Sequence, residues 1–367
     1  MPLHETEFLT LHEFVKEAKK KLTPNVWDYL IGGTETETTL KRNRLAIDAI
    51  ALRPRVLRDV SKIDATSAFL GHKVRLPVMI APVGALSSMD PEAGIPVAKG
   101  AAAFGIPMML SSVNGPQMEK LAELGGVRMF QLCVRGDEAF IDSHVERAIA
   151  TGNVAFCFTV DSAIYSRRER DIAKRFDKPW RAGTQNVRTY QAALSWKDID
   201  RVRRKFPKIP LVIKGIGTAE DAKLCVEHGV EVVYVSNHGG RQLDHGRGSL
   251  DVLPEVVDAI RGKATIVVDG GFTRGTDILK AVALGADSVG IGRLFCYALT
   301  AAGAEGIVRM LEILEDEVVS ALGLCGVTRF SELDKSHLHF GAPMVTDPHV
   351  HSAFPLLDLN DPGYGGR

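Results

Sequence analysis

A closed (β/α)8 TIM barrel, an α/β fold with helices capping it at the amino-terminal side, is the architecture that the 367-residue sequence predicts. Two observations carry this. Short apolar, β-rich runs recur over 77–81, 108–111, 127–132, 154–160, 210–214, 232–236, 266–269 and 288–292, with helical stretches between them. Near-continuous apolar strands alternating with helices are the pattern of a parallel sheet buried on both faces, and eight such units close into a barrel. Polar and charged residues also gather after nearly every run, as in a ring of loops on one face. An open doubly wound sheet is the competing arrangement, disfavoured because no GxGxxG follows the first run.

Ahead of the barrel, 11–21 and 24–30 read as two short helices that cap it. The second opens on Pro24, whose missing N–H costs nothing in a first turn. Between the fourth and fifth runs, 168–195 is polar and irregular and reads as a mobile loop over the site. Ile307, Met310, Leu311, Leu314, Val318 and Leu322 repeat at three and four residues, predicting an amphipathic helix stopped by Gly323. After Leu338 no periodicity remains, and the tail reads as a surface arm at a subunit contact. The expectation is one domain over 1–367: a helical cap over 1–60, a barrel over 61–340 and a carboxy-terminal arm over 341–367.

Lys plus Arg and Asp plus Glu both number 45, so nothing in the charge points to nucleic acid or an anionic membrane surface. Cys133, Cys157, Cys225, Cys296 and Cys325 show no CxxC spacing, the pattern of reduced thiols in a cytoplasmic protein, and no metal site is expected. The first residues lack an apolar core with a cleavage site, so no secretory signal is expected, and no run approaches the ~20 apolar residues of a membrane span.

The chemistry begins at Ser236-Asn237-His238-Gly239-Gly240-Arg241-Gln242-Leu243-Asp244, where the chain leaves the sixth run. A His three residues from an Arg, with glycines that permit close approach, can bring a base and an anion clamp to one pocket. Standing alone, the segment would read as a turn carrying a surface His.

This nonapeptide resembles the signature of the FMN-dependent α-hydroxy acid oxidases and dehydrogenases, the family of glycolate oxidase, lactate oxidase and mandelate dehydrogenase. The likeness extends from Trp27-Asp28-Tyr29 to Val268-Asp269-Gly270-Gly271 and Gly290-Ile291-Gly292-Arg293. It implies FMN as cofactor, a small 2-hydroxy acid as substrate, and a cytoplasmic homotetramer or octamer. His238 would be the base, with Asp161 facing it from the end of the fourth strand and favouring the protonated imidazole. Arg241 and Arg168 would clamp the carboxylate, with Tyr29 beside them; without the resemblance, Arg168 would pass for a solvated charge and Tyr29 for a helix residue packed on the barrel.

For the flavin, the resemblance places Pro82, Val83 and Gly84 beside the ring, and Ser111, Gln131 and Thr159 at strand ends that hydrogen-bond it. Lys214 would set an ammonium where charge accumulates on reduction, with Ser236 nearby. The phosphate would lie at Asp269, Gly270, Gly271, Arg274, Gly292 and Arg293, the usual position in such barrels.

Several positions depart from the family pattern. Cys133 stands where a substrate-reaching tyrosine is usual, which removes a donor and enlarges the pocket. Thr273 replaces an arginine near the phosphate, leaving more of that role to Arg293. Gly84 replaces a frequent alanine, and Val83 a frequent threonine. The resemblance implies oxidation of an L-2-hydroxy acid to the 2-oxo acid. An FMN barrel acting on an amine or a larger scaffold, and a flavin-binding module without turnover, stay open as alternatives; the second leaves His238, Arg241, Asp161 and Arg168 without a purpose.

Overall fold

The computed structural model describes residues 7–115, 117–178, 188–341 and 353. Its barrel strands are β1 (Val78–Ile80), β2 (Met108–Ser111), β3 (Arg128–Leu132), β4 (Ala155–Thr159), β5 (Leu211–Ile216), β6 (Val232–Val235), β7 (Thr265–Asp269) and β8 (Ser288–Ile291). They pair in sequence order, all parallel, and β8 closes on β1. Each coincides with a predicted run to within two residues. The longest deviation is at β5, which continues past Lys214 through an irregularity at Gly215. Gly215 has φ 116°, and a Cβ there would stand 2.7 Å from Asp161 N, so the bulge lets the end of the fourth unit lie directly against β5.

The barrel interior is filled, not hollow. Met79, Met109, Met129, Ala155, Cys157, Val212, Val232, Tyr234 and Val267 meet inside it. An antiparallel hairpin of Ser67–Phe69 and His72–Val74 adds Phe69 and Val74 to the same cluster and closes the amino-terminal end. The free cavity therefore opens at the carboxy-terminal end of the strands, where such barrels do their chemistry.

Three helices precede the barrel: α1 (Leu11–Lys21), α2 (Pro24–Ile31) and α3 (Thr38–Asp48). The capping expectation holds for α2, which brings Tyr29 and Leu30 to the cavity, and not for α1. The apolar face of α1 packs along the side of the barrel on the helix Arg293–Leu324. The unforeseen third helix supplies Leu40 and Arg44 to the cavity wall. Its amino end is capped from afar: Asp244, the last residue of the nonapeptide, accepts from Thr36 N and Thr39 N at 2.9 Å each.

The amphipathic helix of the sequence is the final part of Arg293–Leu324, which breaks at Ala302 and Gly303. It runs through Gly323 and stops at Cys325, with Gly326 taking the left-handed conformation at φ 72°, so the stop signal was assigned three residues early. By length and composition this helix could cross a bilayer, contrary to the sequence expectation; yet 67% of its most apolar window is buried inside the protein, so its apolar face is core.

Two short helices, Glu169–Ala173 and Arg188–Ala193, lie within the stretch read as an irregular loop, and 179–187 fall outside the described residues. The tail is a strand at its start, Leu338–Phe340 pairing with Ile50–Leu52. Of the arm over 341–367, only Gly341 and Ala353 are described, and Ala353 is buried at the cavity.

Candidate active site

The cavity at the barrel mouth has a volume of about 530 Å³, within the range that holds a cofactor and a small substrate. Its floor is organised by Ser236, just past β6. The hydroxyl donates to Asp269 Oδ1 at 2.6 Å, and accepts from Lys214 Nζ at 2.7 Å and from His238 N at 3.1 Å. Lys214 Nζ also stands 3.3 Å from Asp269 Oδ2 and 5.0 Å above the Tyr234 ring. Burial disfavours the ammonium, but Asp269 and Asp161 outweigh it and raise the Lys214 pKa, so a cation is fixed at the cavity floor. Ser236 is buried and locks Lys214, Asp269 and His238 together.

His238 enters the cavity from a turn in which residues 238, 239 and 240 all have positive φ, at 59°, 63° and 74°. For His this backbone is strained and needs external support. Asn43 of α3 and Asn237 exchange side-chain hydrogen bonds at 2.9 and 2.7 Å, and Asn237 Oδ1 accepts from Gly240 N at 3.0 Å. At Gly240 a Cβ would meet Leu40 N and Cα at 2.5 Å, so α3 packs against bare backbone. Gly240→Ala is therefore expected to destabilise the fold by ~2 kcal/mol or more, read as a lower midpoint of denaturation. An unshifted midpoint would disprove this packing account.

His238 Nδ1 lies 3.0 Å from Asp161 Oδ1. A carboxylate only accepts, so Nδ1 carries the proton and Nε2 is left with its lone pair for the cavity. Asp161 does not line the cavity; it stands behind the imidazole. Gln242 Nε2 ties the two loops by donating to Asp161 O at 2.9 Å. Burial pushes the Asp161 pKa up, but His238 and Lys214 hold it below the ordinary carboxylate value. Burial lowers the His238 pKa against the opposing pull of Asp161, so the imidazole is neutral at neutral pH.

The same cavity holds guanidiniums with no carboxylate partner among the described residues. Arg241 donates to Gly32 O at 2.6 Å and sits 4.8 Å over the Tyr29 ring. Arg168 lies 4.7 Å over the Tyr165 ring and 5.8 Å over that of Tyr29, and its Nε has no hydrogen-bond partner. Burial and the adjacent Arg168 press the Arg241 pKa down to about 9. Because a guanidinium keeps its proton, that unfavourable charge becomes an attraction for an anion. The residues expected at the carboxylate, Tyr29, Arg168 and Arg241, are thus brought to one place, and Cys133 lines the same cavity. Burial raises the Cys133 thiol pKa, so it is a neutral group there.

Pro82, Val83, Gly84, Ser111, Gln131, Thr159, Lys214, Asp269, Gly270, Gly271, Gly292 and Arg293 all line the cavity, as expected of a flavin site. At the β7 and β8 ends, Thr273 Oγ1 is buried without a partner and the Arg293 guanidinium has only carbonyls, from Leu30, Gly32 and Gly239, at 2.9, 2.9 and 3.1 Å. An orphaned hydroxyl and an arginine without a counter-ion fit a phosphate. Arg274 does not join them. Its guanidinium pairs with Glu317, 2.6 Å away, and does not line the cavity, so an ion pair stands where a phosphate contact was expected.

Sequence reasoning missed Gln191 and Arg135. Gln191 accepts from Val134 N at 2.7 Å and donates to Thr159 O at 2.8 Å, bridging the ends of β3 and β4 from the helix Arg188–Ala193. Nothing in a polar loop segment marks one glutamine for such a bridge. Arg135 lines the cavity beyond Cys133.

Residues 18–340 match the model of the FMN-dependent dehydrogenase family. An L-lactate oxidase from Nostoc sp. is 38% identical over 358 residues, covering 90% of this chain and 98% of its own length. The glycolate oxidase of Spinacia oleracea is 38% identical over 354 residues, with 90% and 96% covered. The crystal structure of mandelate oxidase with 3,3-difluoro-2-hydroxy-3-phenylpropionic acid matches at TM-score 0.85 and 35% identity, covering 91% of this chain and 100% of that one. A tyrosine-to-cysteine variant of mandelate oxidase with benzoyl-formic acid matches at 0.84 and 35%, over 91% and 100%. With an orphaned phosphate-type site, a fixed ammonium at the cavity floor and a match over most of its length, this chain belongs to the FMN-dependent dehydrogenase family.

Proposed function

We propose that the protein oxidises the hydroxyl-bearing carbon of an L-2-hydroxy acid, giving the 2-oxo acid, with FMN as its cofactor. The observation that carries this is the placement of a neutral, carboxylate-backed His238 in one cavity with two guanidiniums that lack a carboxylate partner among the described residues. Arg168 and Arg241 hold the substrate carboxylate against Tyr29, which fixes the α-carbon relative to His238. Nε2 of His238 takes a proton from the substrate, and Asp161 stabilises the imidazolium that results. When bound, FMN would supply the acceptor of the two electrons and of the second hydrogen that the substrate loses. Lys214 would offset the negative charge gained on reduction, and Thr273 and Arg293 would hold the phosphate.

Anaerobic titration of the purified yellow protein with a panel of 2-hydroxy acids, followed by readmission of air, tests the reading. Bleaching by at least one of them supports it. Bleaching by 2-amino acids alone would transfer the site to amine oxidation, and bleaching by neither class would leave a flavin-binding module. Recovery of colour in air distinguishes oxygen from another acceptor. We further place the protein in the cytoplasm as a homotetramer or octamer; the five cysteines are free thiols, which suits a reducing compartment. Cell fractionation and light scattering check these two points.

A further inference from the structure

Four guanidiniums line the cavity without a carboxylate partner among the described residues: Arg135, Arg168, Arg241 and Arg293. The fifth, Arg44, is neutralised by Asp277 at 2.7 Å and by Asp48. A bound phosphate brings close to two negative charges. One substrate carboxylate brings a third. The remaining guanidinium is Arg135, which lines the cavity two residues beyond Cys133.

We propose that Arg135 forms a second anion subsite, so that the enzyme prefers 2-hydroxy acids carrying another carboxylate at the far end of the side chain. This rests on the proposed oxidation of a 2-hydroxy acid and specifies its substrate class. The backbone entering Arg135 is held in place, because Val134 N is bound to Gln191. Cys133 and Val113, both compact, line the same cavity as Arg135, so no bulky side chain from these two positions competes with a substrate longer than lactate. Burial raises the Cys133 thiol pKa, and the Arg135 charge works against that rise, as a cation lining the same cavity would. Asp269 is the one acidic residue lining the cavity, and it is tied to Lys214 and Ser236, so a second carboxylate meets no free negative charge among the described lining residues.

The test compares acids of equal length: L-malate with L-2-hydroxybutyrate, and L-2-hydroxyglutarate with L-2-hydroxypentanoate, as kcat/KM for flavin reduction by the FMN-loaded protein. Since Arg135 is half-exposed, the expected preference for the diacid is ~10-fold and weakens with added salt. In Arg135→Gln the ratio of diacid to monoacid falls to near one, and Arg135→Lys keeps part of it. Binding gives a second readout without turnover: 2-oxoglutarate should quench protein fluorescence at lower concentration than 2-oxopentanoate, and that advantage should vanish in Arg135→Gln. Equal or better monoacids in the wild type, or a diacid preference that survives Arg135→Gln, overturns the subsite while leaving the proposed reaction standing. If none of the four acids reduces the flavin while another 2-hydroxy acid of the panel does, the subsite is overturned and the reaction stands; reduction by no 2-hydroxy acid at all rejects the reaction and this inference with it.

Discussion

Replacing His238 by Ala is expected to slow flavin reduction by a 2-hydroxy acid ~10²-fold or more while FMN remains bound. The imidazole projects into the cavity and makes its one side-chain hydrogen bond to Asp161, so its removal takes away the base without touching Thr273, Arg293 or Lys214. The pH profile gives an independent signature. Burial lowers the His238 pKa, so the base stays deprotonated to lower pH than an exposed imidazole, and the acid limb of kcat/KM falls below the ordinary value of 6.5. Asp161 acts in the opposite direction by raising that pKa. Asp161→Asn should then slow the reaction and move the limb further to the acid side. A limb that moved to higher pH in Asp161→Asn would break the pairing, and unaltered reduction in His238→Ala would remove the residue from the mechanism.

The strands were legible because an apolar β-branched run is nearly its own evidence: both faces of a barrel strand are buried, so little else is compatible with Val232-Val233-Tyr234-Val235. The three-residue strands of the hairpin plug leave no such trace, and neither does α3, which depends on a cap lent by Asp244. In the site, Ser111, Gln131, Thr159 and Lys214, expected at strand ends, do line the cavity, because the carboxy-terminal strand ends form its floor. Arg274 was misread for the converse reason. It follows Asp269-Gly270-Gly271 and looks like a phosphate ligand, yet its direction is decided by Glu317 on a distant helix. Ser236 and Gln191 likewise owe their roles to partners brought by the fold: the strand-end serine works below the cavity, and the glutamine works across it.

Arg241→Lys is expected to lower kcat/KM by ~10²-fold, with both weaker binding and slower turnover. A lysine would keep one positive charge in the same region, so a purely electrostatic clamp would survive the exchange. The geometry argues for more than charge. Arg241 reaches Gly32 O with one nitrogen and sits over the ring of Tyr29, over which Arg168 also lies, so its other N–H groups remain available to a ligand carboxylate. An ammonium cannot stack, bind the carbonyl and present two parallel donors at once. The carboxylate would then rotate, and a small rotation there carries the α-carbon away from His238, which is why turnover should fall together with affinity. An Arg241→Lys variant that raised KM alone, with kcat intact, would show that Arg241 attracts the substrate without orienting it. A variant that behaved like the wild type on every acid would mean that Arg168 alone forms the clamp, with Arg241 held at Tyr29 and Gly32 for structural reasons.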